Sequence, residues 1–173
     1  MNIVLLGYMA SGKTSVAKVL AKKLGYSFLD LDDIIEENEK KSVQDIFKFK
    51  GEIYFRKRES FCLNMVLNNN SKLVLSLGGG TPCYGNNMTL LLDAPNTKTI
   101  FLKATIPTLV ERLMNEKNKR PLISHIDSDE VLKEFIGKHL FERSQYYNRA
   151  NLSISTDNKT EQEIVEAIIL NLF

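Results

Sequence analysis

The chain is short of the residues that build metal or disulfide frameworks: 173 residues contain two cysteines, Cys62 and Cys83, and two histidines, His125 and His139. No C-x-x-C pair occurs, so neither a zinc site nor a disulfide scaffold is expected, and the thiols are read as reduced. Neither charge dominates: 23 Lys+Arg against 21 Asp+Glu leave a net +2, too balanced to argue for nucleic acid or a membrane surface as partner. Any anion site must therefore be local. Long apolar runs are also missing. The opening stretch Met1 to Leu6 breaks at Gly7 without a basic leader, far short of the roughly 20 residues of a membrane span. A cytoplasmic protein is expected, with no nucleic-acid or membrane partner. No internal repeat or linker divides the sequence, so a single domain over 1–173, working as a monomer, is expected.

What is present is globular: 43% hydrophobic and 25% charged residues are ordinary values for a folded chain. At this length about 70% of the unfolded surface can be buried, enough for one substantial core. Apolar runs of strand length alternate with helical patterns. Asn2 to Leu6 is followed by Lys13 to Leu24, where Val16, Val19, Leu20 and Leu24 recur at three- and four-residue intervals. Ser27 to Asp30 predicts a second strand, then helices over Asp33 to Glu39, Val43 to Lys50 behind Ser42 as N-cap, and Glu52 to Asn68. Leu73 to Leu77, Thr99 to Lys103 and Leu152 to Ser155 complete five strands. Helices are predicted over Asn87 to Asp93, after the Thr105 cap with Pro107 in its first turn, over Asp129 to Asn148, and after Thr160, whose Glu163 completes a capping-box pattern. Asn115 to Ser128 reads as a polar loop. Strands alternating with helices imply a parallel sheet covered on both faces. The expected fold is α/β, a three-layer α/β/α sandwich with a five-stranded parallel sheet, whose ligand site lies beyond the carboxyl ends of the strands.

Gly7-Tyr8-Met9-Ala10-Ser11-Gly12-Lys13-Thr14 fits G-x-x-x-x-G-K-[ST] in its required place, after a strand and before a helix. The glycines let backbone N–H groups curl around a polyphosphate, and the helix N-terminus adds partial positive charge. Lys13 is placed to reach β and γ phosphates, and Thr14 offers a hydroxyl to Mg²⁺. The markers of a GTPase are lacking: Asp93-Ala94-Pro95-Asn96 has no closing Gly, and Asn158-Lys159-Thr160-Glu161 ends in Glu. The Leu73 to Leu77 strand runs straight into Gly78, so the metal's acidic partner must come from elsewhere. Asp30-Leu31-Asp32 is the candidate; in an extended chain both carboxylates face one side. Asp33 is a third adjacent carboxylate, and Asp32 or Asp33 can equally be the cap of the next helix. Arg56 and Glu59 lie one helical turn apart, so the carboxylate can hold the guanidinium in position.

In order and spacing, Gly7 to Thr14, Asp30-Leu31-Asp32, Asp45-Ile46-Phe47, the G-E-x-x-F-R-x-x-E of Gly51 to Glu59 and Gly78-Gly79-Gly80 resemble the shikimate kinase family. The resemblance continues through Arg120-Pro121-Leu122 to Arg143 and Tyr146-Tyr147. It implies the P-loop nucleoside triphosphate hydrolase fold of nucleoside monophosphate kinase-like type. It also implies transfer of the γ-phosphoryl group of ATP to the 3-hydroxyl of shikimate, on the route to chorismate and the aromatic amino acids, with ATP and Mg²⁺ required. By that resemblance the nucleotide is held by Gly7, Ala10, Ser11, Gly12, Lys13, Thr14 and Ser15, with Arg112 beside adenine and Arg120 over the phosphates. Thr14 and Asp30 serve the metal. Shikimate is held by Asp32, Phe47, Phe55, Arg56, Gly78, Gly79, Gly80 and Arg143, with Lys13, Asp32 and Arg120 as the catalytic set. Acceptor-binding helices over about 33–61 and a lid over about 115–128 follow. Two positions depart from the family: Ala10 stands where Gly or Pro is frequent, and Leu31 where a small polar residue is usual. Gluconate kinase or another small P-loop kinase is the nearest enzymatic rival, and a non-catalytic ATP-binding regulator the rival from another class.

Overall fold

The computed structural model describes residues 1–116, 123, 126 and 128–173. In chain order the elements are β1 (Asn2–Leu6), α1 (Lys13–Leu24), β2 (Ser27–Asp30), α2 (Leu31–Glu39), α3 (Val43–Asn69), β3 (Leu73–Ser76), a 3₁₀ turn (Thr81–Cys83), α4 (Asn87–Asp93), β4 (Thr97–Lys103), α5 (Ile106–Glu116), α6 (Asp129–Tyr147), β5 (Leu152–Ser155) and α7 (Glu161–Leu172). The five strands form one sheet in the order β2-β3-β1-β4-β5, and every neighbouring pair is parallel. This is the expected three-layer sandwich.

The sequence of β1 explains the layering. All five of its residues are buried, and alternation sends them to opposite faces. Ile3 and Leu5 pack with Val16 and Leu20 of α1 and Ile164 and Ile168 of α7. Val4 and Leu6 join Leu63 of α3, Leu109 of α5 and Ile136 of α6. A strand buried on both faces has no place for polar side chains, which is why it reads as an unbroken apolar run. Because β1 lies between β3 and β4, the loop that follows it opens into the crevice where strand order reverses.

Boundaries differ from the sequence reading where a local hydrogen bond decides. Helix α2 starts at Leu31, two residues before the expected start, because the Asp30 side chain accepts from the Asp32 N–H at 3.1 Å and caps it. Asp30 is therefore the cap, and Asp32 sits in the first helical turn. The idea of two carboxylates on one side of an extended chain is corrected by this. The two expected helices from Val43 onward are joined through a kink at Gly51, whose φ of 80° is left-handed. The capping box at Thr160 and Glu163 is present. Strand β4 starts at Thr97, two residues early, and the 3₁₀ turn after the glycine triplet was not foreseen. Within the expected polar loop, Ile123 and Ile126 are buried in the core cluster. The lid residues Lys117, Lys119, Arg120, Pro121 and Leu122, together with His125, lie outside the described residues. Among the described residues no helix is long and apolar enough to cross a membrane.

Candidate active site

The phosphate loop is shaped by backbone conformations that its sequence permits. Gly7 and Gly12 have φ of 147° and 92°, and a Cβ on Gly7 would lie 2.6 Å from the Leu102 carbonyl oxygen. No side chain caps α1, and no acidic residue occupies its first turn, so its N–H groups and positive dipole end point at whatever fills the loop. Among the described residues Ser11 Oγ is buried without a hydrogen-bond partner, so it has donor capacity to offer a ligand. Lys13 is buried, and its ammonium donates to the Tyr8 carbonyl at 2.8 Å. Ala10 takes φ of 60°, a left-handed conformation costing a non-glycine residue about 1–2 kcal/mol. A glycine at this position would adopt the same conformation without that cost.

Thr14 Oγ1 donates to Asp30 Oδ2 at 3.0 Å and lies 3.3 Å from Ser76 Oγ. The start of α1 and the ends of β2 and β3 thus meet in an all-oxygen cluster. Ser76 was not singled out in the sequence, since a serine ending a strand carries no signal. Arg112 on α5 donates to the Ala10 carbonyl at 3.1 Å and to the Thr156 carbonyl at 3.1 Å. It closes the loops after β1, β4 and β5 around one end of the sheet. Beside it lies a cavity of about 330 Å³ lined by Thr108, Glu111, Asn115, Asn158 and Lys159. Ser15 is exposed on the first turn of α1.

The acceptor side is built from side chains. Arg56 donates from Nη1 to Glu59 Oε2 at 2.9 Å, and Glu59, 1% exposed, also accepts from Thr81 Oγ1 at 2.6 Å. The Arg56 guanidinium lies 3.8 Å from the Tyr84 ring centre and 5.1 Å from that of Phe55. Phe55 in turn meets Phe47 at 4.5 Å between centroids. Crowding accounts for Gly78 and Gly80, and none of the three glycines has a left-handed φ. A Cβ on Gly80 would meet Arg56 Nη2 at 2.8 Å, one on Gly78 would meet Asp32 Oδ1 at 3.2 Å, and one on Gly79 would come within 3.7 Å of Arg143 Nη1. Tyr147 donates its hydroxyl to the Gly79 carbonyl, pinning the triplet. Thr81, Tyr84 and Tyr147 were missed as contributors, because their partners come from remote segments.

Burial, reinforced by the Asp30 and Glu59 carboxylates and opposed by the Lys13 ammonium, pushes Asp32 up from 3.8 to about 7. An acid in that range can hold or accept a proton near neutrality. Burial pushes the Cys83 thiol up to about 11, leaving it inert beside the site. A cavity of about 230 Å³ is lined at once by Lys13, Thr14 and Ser15 and by Asp30, Asp32, Gly78 and Gly79. The groups expected to meet phosphate and those expected to meet hydroxyls therefore line one space.

Comparison with known proteins agrees in extent as well as kind. A family model described as shikimate kinase matches residues 9–173. A curated shikimate kinase of Flavobacterium psychrophilum is 47% identical over 172 residues, covering 99% of both chains. Among solved structures, shikimate kinase from Bacteroides thetaiotaomicron is similar at 34% identity with a TM-score of 0.89, covering 99% of both chains. The Acinetobacter baumannii enzyme in complex with shikimate is similar at 30% identity with a TM-score of 0.86, covering 99% of this chain and 92% of that one.

Proposed function

The chain belongs to the shikimate kinase family, and from that premise we propose that it transfers the γ-phosphoryl group of ATP to the 3-hydroxyl of shikimate, giving shikimate 3-phosphate and ADP. The observation that carries this is the cavity whose walls hold both Lys13 and Asp32. The bond between γ-phosphorus and its bridging oxygen breaks as the shikimate oxygen attacks in line. The hydroxyl proton passes to Asp32, late in a loose transition state where positioning and charge stabilisation dominate. Gly7, Gly12 and Ser11 present N–H and O–H donors to the phosphates; Lys13 neutralises charge at the transferred group. Arg56 and Arg143 clamp the carboxylate, for which a planar fork is suited. Phe47 and Phe55 cover the apolar face of the ring, and the small triplet lets it approach the backbone. Arg112 flanks adenine, and Arg120 is assigned the closing charge over the phosphates.

Mg²⁺ suits the Thr14 and Asp30 oxygens, since a hard cation takes oxygen ligands. Such a cation is commonly held by one or two carboxylates together with the substrate's phosphates rather than by an all-protein cage. When bound it would offset charge on the phosphates. We assign the whole of 1–173 to one domain acting as a cytoplasmic monomer, the two free thiols being in keeping with a reducing compartment.

The test is ADP release with ATP and Mg²⁺ against shikimate, quinate, gluconate and nucleoside monophosphates, with the product identified by phosphorus NMR. Turnover with shikimate above the ATP-only rate is expected. ADP formation driven by gluconate or a monophosphate alone would overturn the acceptor assignment, and no acceptor-stimulated turnover with ATP bound would favour a regulator.

A further inference from the structure

We propose that Tyr8 and His139 are a positioning pair that locks the phosphate loop to the helix carrying Arg143, so that phosphoryl donor and acceptor are held in one register. The proposal rests on the reading of Arg143 as an acceptor clamp. Tyr8 fills a variable position of the phosphate-loop motif, yet its side chain is buried to 1% exposure. Its hydroxyl lies 3.0 Å from Nδ1 of His139 on α6, and the imidazole is backed by the Phe135 ring at 4.3 Å between centroids. Arg143 lies four residues after His139, on the same helix face, with its guanidinium carbon 5.7 Å from the centre of the Tyr8 ring, within cation–π range. The Tyr8 carbonyl accepts from Lys13 Nζ at 2.8 Å and from the Ser11 N–H at 3.2 Å.

One residue therefore touches the phosphate lysine through its main chain, the acceptor arginine through its ring and α6 through its hydroxyl. Packing alone would be served by phenylalanine, because a buried hydroxyl must find a partner or lose free energy. Burial pushes Tyr8 up to about 12 and, with Arg143 nearby, pushes His139 down. Both groups are neutral near pH 7, and either imidazole tautomer closes the bond. A neutral ring also adds no cation next to Arg143 and Lys138.

Tyr8→Phe, His139→Leu and the double variant separate this role from packing. Each single change is expected to lower kcat/KM for shikimate about three- to tenfold, the range of one lost hydrogen bond, with the KM for ATP unchanged. The double variant should be no worse than the poorer single, and His139→Asn, which keeps a hydrogen-bonding group, should recover most of the loss. Unchanged kcat/KM for shikimate in Tyr8→Phe, fully additive losses, or a comparable rise in the KM for ATP would overturn the pairing. Should His139→Leu fail to fold, Tyr8→Phe and His139→Asn still decide. Wild-type protein inactive with shikimate would instead overturn the functional reading, and this proposal with it.

Discussion

The two ends of the active site are made of different material. The phosphate end is chiefly backbone: left-handed Gly7 and Gly12, the uncapped start of α1 and a buried Ser11 hydroxyl, all within one stretch of chain. The acceptor end is chiefly side chain: Asp32 from α2, Arg56 and Glu59 from α3, and Arg143 from α6, packed around Gly78 and Gly80 after β3. A polyphosphate can be held by N–H groups that any sequence carries, provided the loop can curl. A small carboxylate with ring hydroxyls needs forks and acceptors at fixed separations, which only packed side chains supply. Changes at the phosphate end should therefore act on turnover, and changes at the acceptor end on recognition of one substrate.

The largest effect is expected at Lys13, where the phosphate end carries its side-chain charge. Lys13→Ala should lower turnover about 10²- to 10³-fold, the usual loss of a group that stabilises transition-state charge, while the shikimate affinity measured by calorimetry stays close to wild type. Near-normal turnover would remove Lys13 from the phosphate role.

Asp32 lies where the two ends meet, and its substitution sharpens the contrast through pH. With its acid held at about 7, the wild-type kcat/KM for shikimate should rise with pH through 7 and then level, as the proton acceptor is freed. Asp32→Asn should lower turnover, by less than the roughly 10²–10⁴-fold of a full general base, and should abolish that inflection. Stability should move the other way. A carboxyl group whose folded pKa exceeds its unfolded value of 3.8 costs stability increasingly as pH rises from about 4 to about 7. The Tm advantage of the Asn variant should therefore widen from pH 5 to pH 7 and stay level above. An equal gap at both pH values would mean that Asp32 is not a raised acid.

The same contrast accounts for what could be read in the sequence. The sheet, its helices and the phosphate loop were legible because their determinants are local: an apolar strand, a Gly-x-x-x-x-Gly-Lys run, a periodic helix. Arg56 and Glu59 were legible for the same reason, one helical turn apart. The tie from Thr81 to Glu59, the stacking of Tyr84 on Arg56 and the bond from Tyr8 to His139 were not. Each joins segments that only the folded chain brings together, through residue types common in ordinary cores. The cap at α2 is open between Asp32 and Asp33 in the sequence because closely spaced aspartates offer similar signals, and only the bond from the Asp32 N–H to Asp30 decides the matter.

The smallest of these effects is also the most discriminating. Binding of shikimate and of ATP with Mg²⁺ to Arg56→Lys, each titrated separately by calorimetry, asks whether the acceptor is recognised by a fork held between Glu59 and Tyr84. Lysine keeps the charge but loses the bidentate geometry and the stack. A loss of about tenfold in shikimate affinity with ATP affinity unchanged is predicted. Unchanged shikimate affinity, or an equal loss for both ligands, would contradict the division of the site into a backbone phosphate end and a side-chain acceptor end.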